Sequence, residues 1–215
     1  MRLVSSARLR DAVLLRLVDR ALADDLAEIE GATSARLLAR RDGAARIDRD
    51  EFIAGVPHAA FINAAFAYWR PQALNRFNGP GRGAWYAALA TGTCIAEVAY
   101  HMTRELTAVA DFHAVVEYAE MFASMAGSFV DLRGVTPRPD CLDPDPARGY
   151  PAGNALADAT RAAGHNGIVW PSVRDPAAGT CLVALWPAAV QSVAQGQVLR
   201  LVWDGAPTPA VEAAG

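Results

Sequence analysis

The chain has 215 residues, of which 53% are hydrophobic, and its net charge at pH 7 is -3. That length supports one sizeable hydrophobic core. The acidic balance lacks the basic patch that nucleic-acid-binding proteins carry, so the protein is not expected to bind nucleic acid directly. Arginines interrupt the apolar amino-terminal stretch, which therefore predicts neither a signal peptide nor a membrane-spanning helix.

The first half of the chain is predicted to be mainly helical. Residues 12–20 form a continuous apolar run that fits a buried strand or the start of a helix. Residues 23–43 have a helical composition, and Gly43 is a plausible end. A further helix is predicted from Pro57, because proline is favoured at the first helical position.

The second half of the chain is predicted to alternate irregularly between strands and helices. Helices are expected over 91–106, capped by Thr91 or Thr93, and over 152–164. The stretch 133–151 is dense in Pro, Asp and Gly and predicts a surface loop. The expected strands lie in 84–89, 108–121, 127–132, 168–172, 180–186 and 197–203.

Because these strands do not strictly alternate with helices, the pattern favours an α+β fold with mixed, partly antiparallel sheets and flanking helices. Residues 1–205 are expected to form a single domain, and residues 206–215 a flexible tail.

Cysteine and histidine give no sign of a metal centre or a catalytic dyad. The three cysteines, Cys94, Cys141 and Cys181, are widely separated, which is typical of reduced thiols in a cytoplasmic protein. The histidines lack metal-ligand spacing, so no metal is expected. Cys94 and His101 are seven residues apart on a predicted helix, which puts about 10 Å between them along its axis.

The stretch "NRFNGPGRG", residues 75–83, contains three closely spaced glycines. A dinucleotide-binding fingerprint needs G-x-G-x-x-G followed by a helix, whereas this stretch has G-x-G-x-G followed by a predicted strand. The Gly-Lys-Ser/Thr of a P-loop is absent as well. The glycines are therefore interpreted as a turn that leads into the strand.

Glu97 is a carboxylate among apolar neighbours in the predicted helix "TCIAEVAYH". Burying it is costly unless it is paired or hydrogen-bonded. It could point to water, or pair with His101 or Arg104. Arg76 and Arg82, just upstream, could pair with Glu97 or bind an anionic ligand.

Three motifs resemble the signature of the RES-domain toxin family: "RFN" with Arg76, "AWYAAL" with Tyr86 and "TCIAEVAYH" with Glu97. Arg76 and Tyr86 are ten residues apart, and Tyr86 and Glu97 eleven, which is similar to the family's spacing. Residues 154–186 resemble the family's carboxy-terminal block, where Ser172 and Arg174 follow a strand. The resemblance extends over about residues 12 to 205.

Two positions need comment. Asn78 stands where many relatives carry a serine, in a longer glycine-rich loop than theirs. The family's first-strand arginine has two candidates, Arg16 and Arg20, and its place in "RLV" favours Arg16.

The resemblance implies a fold similar to diphtheria-toxin-type ADP-ribosyltransferases and the role of a toxin in a type II toxin–antitoxin pair. Its substrate would be NAD+, whose nicotinamide–ribose bond breaks through an oxocarbenium-like transition state. Glu97 would hold a ribose hydroxyl and stabilise that cation, and Arg76 would grip the pyrophosphate or a ribose-side oxygen. Tyr86 would stack on the nicotinamide or its ribose, and its hydroxyl could orient the substrate.

The remaining implied residues would bind the substrate. Ser172 would donate a hydrogen bond near the nicotinamide, while Arg174 and Arg16 would contact the anionic groups. From the sequence alone, Arg174 could instead form an ion pair with Asp175.

The family resemblance leaves the acceptor of ADP-ribose open. Water or phosphate would make the protein an NAD+-degrading enzyme, and a protein side chain would make it an ADP-ribosyltransferase that modifies a host protein. A third alternative is a non-catalytic binding module on the same fold. The resemblance also implies a cognate Xre-like antitoxin as partner, in a hetero-oligomer, and a cytoplasmic location.

Overall fold

Two four-stranded sheets frame the part of the chain that the computed structural model describes, which is residues 1–6, 47–67, 69 and 74–214. The first sheet is antiparallel throughout and contains, in spatial order, β1 (Arg2–Ser5), β3 (His113–Met125), β7 (Val190–Asp204) and β8 (Ala210–Ala213). The second contains β2 (Trp85–Ala88), β6 (Thr180–Ala184), β5 (Gly167–Pro171) and β4 (Phe129–Asp131). Its β4–β5 pair is parallel and its other pairs are antiparallel. The predicted α+β class with mixed sheets is confirmed.

The described residues contain three α-helices and three 3₁₀ turns. The helices are α1 (Ala59–Ala67), α2 (Thr91–Val109) and α3 (Pro146–Ala162). The 3₁₀ turns are Arg49–Glu51, Asp140–Leu142 and Pro187–Ala189. No helix in the described ranges is both long and apolar enough to cross a membrane. The predicted elements over 12–20 and 23–43, with Arg16 and Arg20, lie outside those ranges.

The prediction of a threonine cap on α2 was wrong. The N-cap is Ala90, whose side chain makes no capping hydrogen bond. The hydroxyl of Thr93 bonds instead to Asp175, far away in the sequence. The helix ends at Val109, and its C-cap Ala110 has a φ of 55°, in the left-handed region that terminates helices.

The predicted surface loop 133–151 is partly helical. α3 begins at Pro146, because the Asp145 carboxylate accepts a hydrogen bond from the Ala147 N–H and proline suits the first helical position. Within the same range, Cys141, Leu142 and Tyr150 are buried. Composition marked this range as irregular, whereas its capping residues start a helix.

Strand β2 lies between two hydrophobic clusters. Trp85 and Ala87 pack in a cluster with Ile62 and Phe66 of α1, whereas Ala88 packs in the cluster that includes Leu106 of α2. Because side chains alternate along a strand, Tyr86 shares the side of Ala88 and packs against the α2 cluster. This alternation places Tyr86 on the side of the sheet that carries Glu97.

The carboxy-terminal segment differs from the predicted flexible tail. Residues Ala210–Ala213 form β8 and pair with β7 in antiparallel register. All four residues are exposed, and the segment before them contains prolines. The sequence of this segment therefore resembles that of a tail.

Candidate active site

A cavity of about 260 Å³ opens between α2, β2 and α3. Four predicted site residues line it: Arg76, Tyr86, Glu97 and Arg174. Its wall also includes Arg2, Asn75, Cys94, His101, Tyr150, Trp170 and Cys181. The residues named from the family motifs therefore converge on one cavity, although up to 98 positions separate them in the chain.

Glu97 is held in this cavity by a serine. The hydroxyl of Ser172 donates to Glu97 Oε1 at 2.6 Å, and the thiol of Cys181 approaches the same oxygen at 3.6 Å. Neither predicted partner on the helix bonds to it. Arg104 lies instead over the ring of Tyr100, with its guanidinium carbon 5.9 Å from the ring centre.

The hydroxyl of Ser172 has one direction available for its proton. Its oxygen accepts hydrogen bonds from the backbone N–H of Arg174, at 3.1 Å, and of Asp175, at 3.0 Å. A hydroxyl has two acceptor lone pairs and one donor hydrogen, so that hydrogen is directed to Glu97. Ser172 is buried and contacts the carboxylate, rather than pointing into the cavity as a direct substrate donor.

Arg76 lies at the base of a tight turn in which Asn75 and Asn78 form an isolated bridge. Its Nη1 donates to the carbonyls of Cys141, at 2.5 Å, and of Asp143, at 3.0 Å. The guanidinium is buried, and this burial lowers its pKa from the ordinary arginine value. Both bonds leave from Nη1, and within the described residues no hydrogen bond from the other guanidinium nitrogens is seen.

Helix α3 permits this position of Arg76 because two glycines face it. A Cβ on Gly153 would lie 2.0 Å from the Arg76 carbonyl oxygen, and one on Gly149 would lie 2.8 Å from Arg76 Nη1. The Asn154 side chain donates to the carbonyl of Asn75 at 2.8 Å, so it fixes the same turn.

The hydroxyl of Tyr86 is occupied within the protein. It accepts from the Phe77 N–H at 2.8 Å and donates to Asn78 Oδ1 at 2.9 Å. Burial raises the pKa of Tyr86 well above its usual range, so the phenol stays neutral. Tyr86 lines the cavity, and its ring is in edge contact with Trp170 at 6.3 Å between centroids.

Arg174 bridges two segments at the cavity. Its guanidinium carbon lies 3.6 Å from the centre of the Tyr100 ring, and its Nη2 donates to the Pro144 carbonyl at 2.6 Å. The alternative ion pair with Asp175 is not formed. The Asp175 carboxylate instead accepts hydrogen bonds from Thr93, Ala177 and Gly179.

Arg82, considered as a partner of Glu97 or of an anion, has another role. Its guanidinium donates to both carboxylate oxygens of Glu51, at 3.0 and 2.5 Å, and to the Leu185 carbonyl at 3.0 Å. It is buried and does not line the cavity.

Among the described residues, the cavity thiols have no partner of the kind that would activate them. Cys94 donates to the Met1 carbonyl at 3.1 Å rather than to His101. Burial raises the pKa of Cys94 and of Cys181, so both stay protonated. Among the described residues, no group of three or more His, Cys, Asp or Glu side chains is arranged to hold a metal ion.

Arg2 is a cavity residue that sequence reasoning missed. It begins β1, the first strand of the described chain, and its guanidinium carbon lies 4.9 Å from the centre of the Trp85 ring. The short stretch "RLVS" at the start of the chain could have indicated this strand. The longer apolar run over 12–20 was the stronger strand candidate in the sequence. Arg16, the predicted substrate-binding arginine, lies outside the described residues.

The chain matches the sequence model of a known protein family. The RES domain model matches residues 44–204, which is more than half of the chain and includes every described predicted site residue. No curated protein matches the chain. The RES-domain family is associated with enzymes that act on NAD. The sequence match and its coverage show that this chain belongs to the RES-domain family.

Proposed function

We propose that this protein is the toxin of a type II toxin–antitoxin pair and that it cleaves the nicotinamide–ribose bond of NAD+, depleting the cofactor. One observation carries the proposal. Glu97 is the one carboxylate that lines the cavity within the described residues, and Arg2, Arg76 and Arg174 line the same cavity. NAD+ carries a cationic nicotinamide ring and an anionic pyrophosphate, which is the complementary charge pattern.

Glu97 supplies the electrostatic part of the reaction. Nicotinamide leaves as a neutral molecule and needs little acid assistance, while positive charge develops on the ribose as in glycoside hydrolysis. A pre-organised carboxylate beside the ribose stabilises that charge. By analogy with single oxyanion-hole donors, such a contact contributes about 3–4 kcal/mol. The hydrogen bond from Ser172 fixes Oε1, so Oε2 is the oxygen directed to the ribose.

The other cavity residues bind and orient the substrate. The planar fork of Arg76 suits two-point contact with a pyrophosphate oxygen pair, and Arg174 and Arg2 add positive charge at the same cavity. Tyr86, Tyr150 and Trp170 offer aromatic faces and edges for the flat nicotinamide ring. Because Tyr86 uses its hydroxyl inside the protein, its contribution is the ring.

The partner in this proposal is a cognate Xre-like antitoxin, and both proteins act in the cytoplasm. Co-expression of this chain with the product of the adjacent reading frame tests the pairing. A stable complex in which nicotinamide release is suppressed supports it. Two proteins that separate on a sizing column, with full NAD+ consumption, contradict it.

Nicotinamide release from NAD+ by the purified protein tests the proposed activity. Wild type should release nicotinamide, and Glu97→Gln should be about 100- to 1,000-fold slower, which corresponds to the about 3–4 kcal/mol expected for the contact. Glu105→Gln is the matched control, because Glu105 lies on the same helix and is exposed.

Two outcomes would overturn the proposal: no nicotinamide release by wild type, or equal rates for Glu97→Gln and wild type. Labelled NAD+ identifies the acceptor in the same assay. Label that stays in small molecules agrees with NAD+ degradation, whereas label on a host protein replaces that part of the proposal with the transferase alternative.

A further inference from the structure

Three side chains on one face of α2 contact the turn that follows β5. Thr93, Glu97 and Tyr100 are spaced four and three residues apart, so they lie above one another on the helix surface. Each contacts a different residue of the turn Ser172–Asp175. The Thr93 hydroxyl donates to Asp175 Oδ2 at 2.7 Å, Glu97 accepts from Ser172, and the Tyr100 ring stacks on Arg174.

The orientation of Ser172 depends on this turn keeping its shape. The turn brings the N–H groups of Arg174 and Asp175 onto the Ser172 oxygen, and this directs the hydroxyl hydrogen to Glu97. The Asp175 carboxylate in turn accepts the Thr93 hydroxyl and the N–H groups of Ala177 and Gly179. Hydrogen bonds, Thr93 first, keep the pKa of Asp175 below its ordinary value, so it remains an anionic acceptor.

Gly179 gives independent support for a close fit at Thr93. A Cβ on Gly179 would lie 2.1 Å from Thr93 Oγ1 and 2.6 Å from Asp175 Oδ2. Thr93 is buried and short, so it could not move aside without losing its bond to Asp175. Only a residue without a side chain allows the backbone to approach this hydrogen bond so closely.

We propose that Thr93 and Tyr100 are positioning residues for the two charged groups that face the substrate. Thr93 acts through Asp175 and the turn to hold the Ser172 hydroxyl on Glu97, and Tyr100 holds the Arg174 guanidinium beside the cavity. Neither residue lines the cavity. The inference rests on the proposed function where it is tested by kcat and KM for NAD+.

The two residues are expected to affect different kinetic constants. Thr93 controls Glu97, which acts in the transition state, so Thr93→Val should lower kcat about 10-fold with KM nearly unchanged, the size expected for one hydrogen bond to a charged group. Tyr100 controls Arg174, which binds the substrate, so Tyr100→Leu should raise KM about 5-fold with kcat nearly unchanged.

Conservative variants separate positioning from packing. Thr93→Ser keeps the hydroxyl and should recover most of the kcat, and Tyr100→Phe keeps the aromatic face and should recover most of the KM. Thr107→Val is the matched control, because it removes a hydroxyl on the same helix that bonds only to the Thr103 carbonyl. It should leave both constants as in wild type.

Amide hydrogen exchange tests the positioning without NAD+. In Thr93→Val, the amides of Arg174 and Asp175, which bond to Ser172, should exchange at least about 10-fold faster, while α2 core amides keep their protection. Faster exchange in a protein that never consumes NAD+ would support the positioning and reject the proposed function. Wild-type exchange at both amides, or failure of Thr93→Ser to restore the slow exchange, would overturn the role of Thr93. Equal KM values for Tyr100→Leu and wild type would overturn the role of Tyr100.

Discussion

Glu51 and Glu97 both lie near arginines, and their surroundings differ. Both carboxylate oxygens of Glu51 bond to the single guanidinium of Arg82, which also stacks on Trp186 at 4.6 Å. Glu97 accepts from Ser172 and Cys181, and no arginine of the described chain pairs with it. In the Glu97 cavity, Arg76 and Arg174 donate instead to backbone carbonyls.

The difference separates a structural pair from a site prepared for a ligand. At Glu51 the charges neutralise each other, and the gain appears as stability. In the described part of the chain, Glu97 does not pair with Arg76 or Arg174, although all three line one cavity, and a substrate that carries both charges would complement them. Charged groups gathered in a cavity in this way are a feature of functional sites, which agrees with the proposed function.

The largest expected effect on folding is at the structural pair. Arg82→Ala should lower the free energy of unfolding by about 3 kcal/mol, because it removes three hydrogen bonds and leaves Glu51 without its guanidinium. Urea unfolding measures this loss, and nicotinamide release per folded molecule should stay near the wild-type rate.

The matched control is Arg133→Ala, which breaks an exposed pair with Asp131 and should leave the free energy of unfolding close to that of wild type, because solvent screens an exposed pair. If Arg82→Ala is as stable as that control, or folds normally but loses NAD+ turnover, the division between the two glutamates is wrong.

The second effect concerns the arginine fork in the cavity. Arg76→Lys keeps a positive charge but loses the planar donor pair, so kcat/KM for NAD+ should fall about 10- to 100-fold, the size of one or two hydrogen bonds to a charged group. Arg138→Lys, an exposed change of the same kind, should have no effect. Steady-state kinetics of both variants measure the effect. A kcat/KM of Arg76→Lys equal to that of Arg138→Lys would show that Arg76 does not bind the substrate.

The local part of this site was predicted from the resemblance of three sequence motifs to the RES-domain family, and local geometry explains why their residues share one cavity. Arg76, Tyr86 and Glu97 lie within 22 residues, and one turn, strand β2 and helix α2 carry them in order. The period of two along β2 and the helical spacing along α2 set which side chains face the cavity. These regularities act over a few residues, so they can be recognised in the amino-acid sequence.

The long-range part could not be predicted. Ser172 was expected near the nicotinamide. Its hydroxyl instead donates to Glu97, which lies 75 residues earlier in the sequence. Before the family resemblance is considered, Arg76 and Arg82 are both candidates for binding an anion. In the structure Arg82 pairs with Glu51, whereas Arg76 lines the cavity. Arg2 joined the cavity through strand pairing of β1 with β3. Each role depends on which distant groups the fold brings into hydrogen-bonding distance.

Tyr86 tests the same distinction inside the cavity. Tyr86→Phe keeps the ring but leaves the Phe77 N–H and Asn78 Oδ1 without their partner, so it should lower the free energy of unfolding by about 1–2 kcal/mol. The kcat for NAD+ should fall less than about 10-fold, because the hydroxyl does not face the substrate. Thermal unfolding and nicotinamide release on one preparation measure both. Unchanged stability with a loss above about 100-fold would mean that the hydroxyl acts on the substrate.

The smallest expected effect is the pH dependence of the Glu51–Arg82 pair. Burial opposes ionisation of Glu51, but hydrogen bonds from Arg82 and the Asp48 N–H outweigh it and hold its pKa below the ordinary value. A lowered folded-state pKa gives stability that is present above the unfolded value of about 4.3 and lost as pH falls through the folded value. The stability gap between wild type and Glu51→Gln should therefore be constant from about pH 7 to 5 and narrow below about pH 4. The other carboxylates titrate in both proteins, so their contribution drops out of the difference in the free energy of unfolding. A difference that stays constant on acidification would show that packing, rather than its charge, holds Glu51.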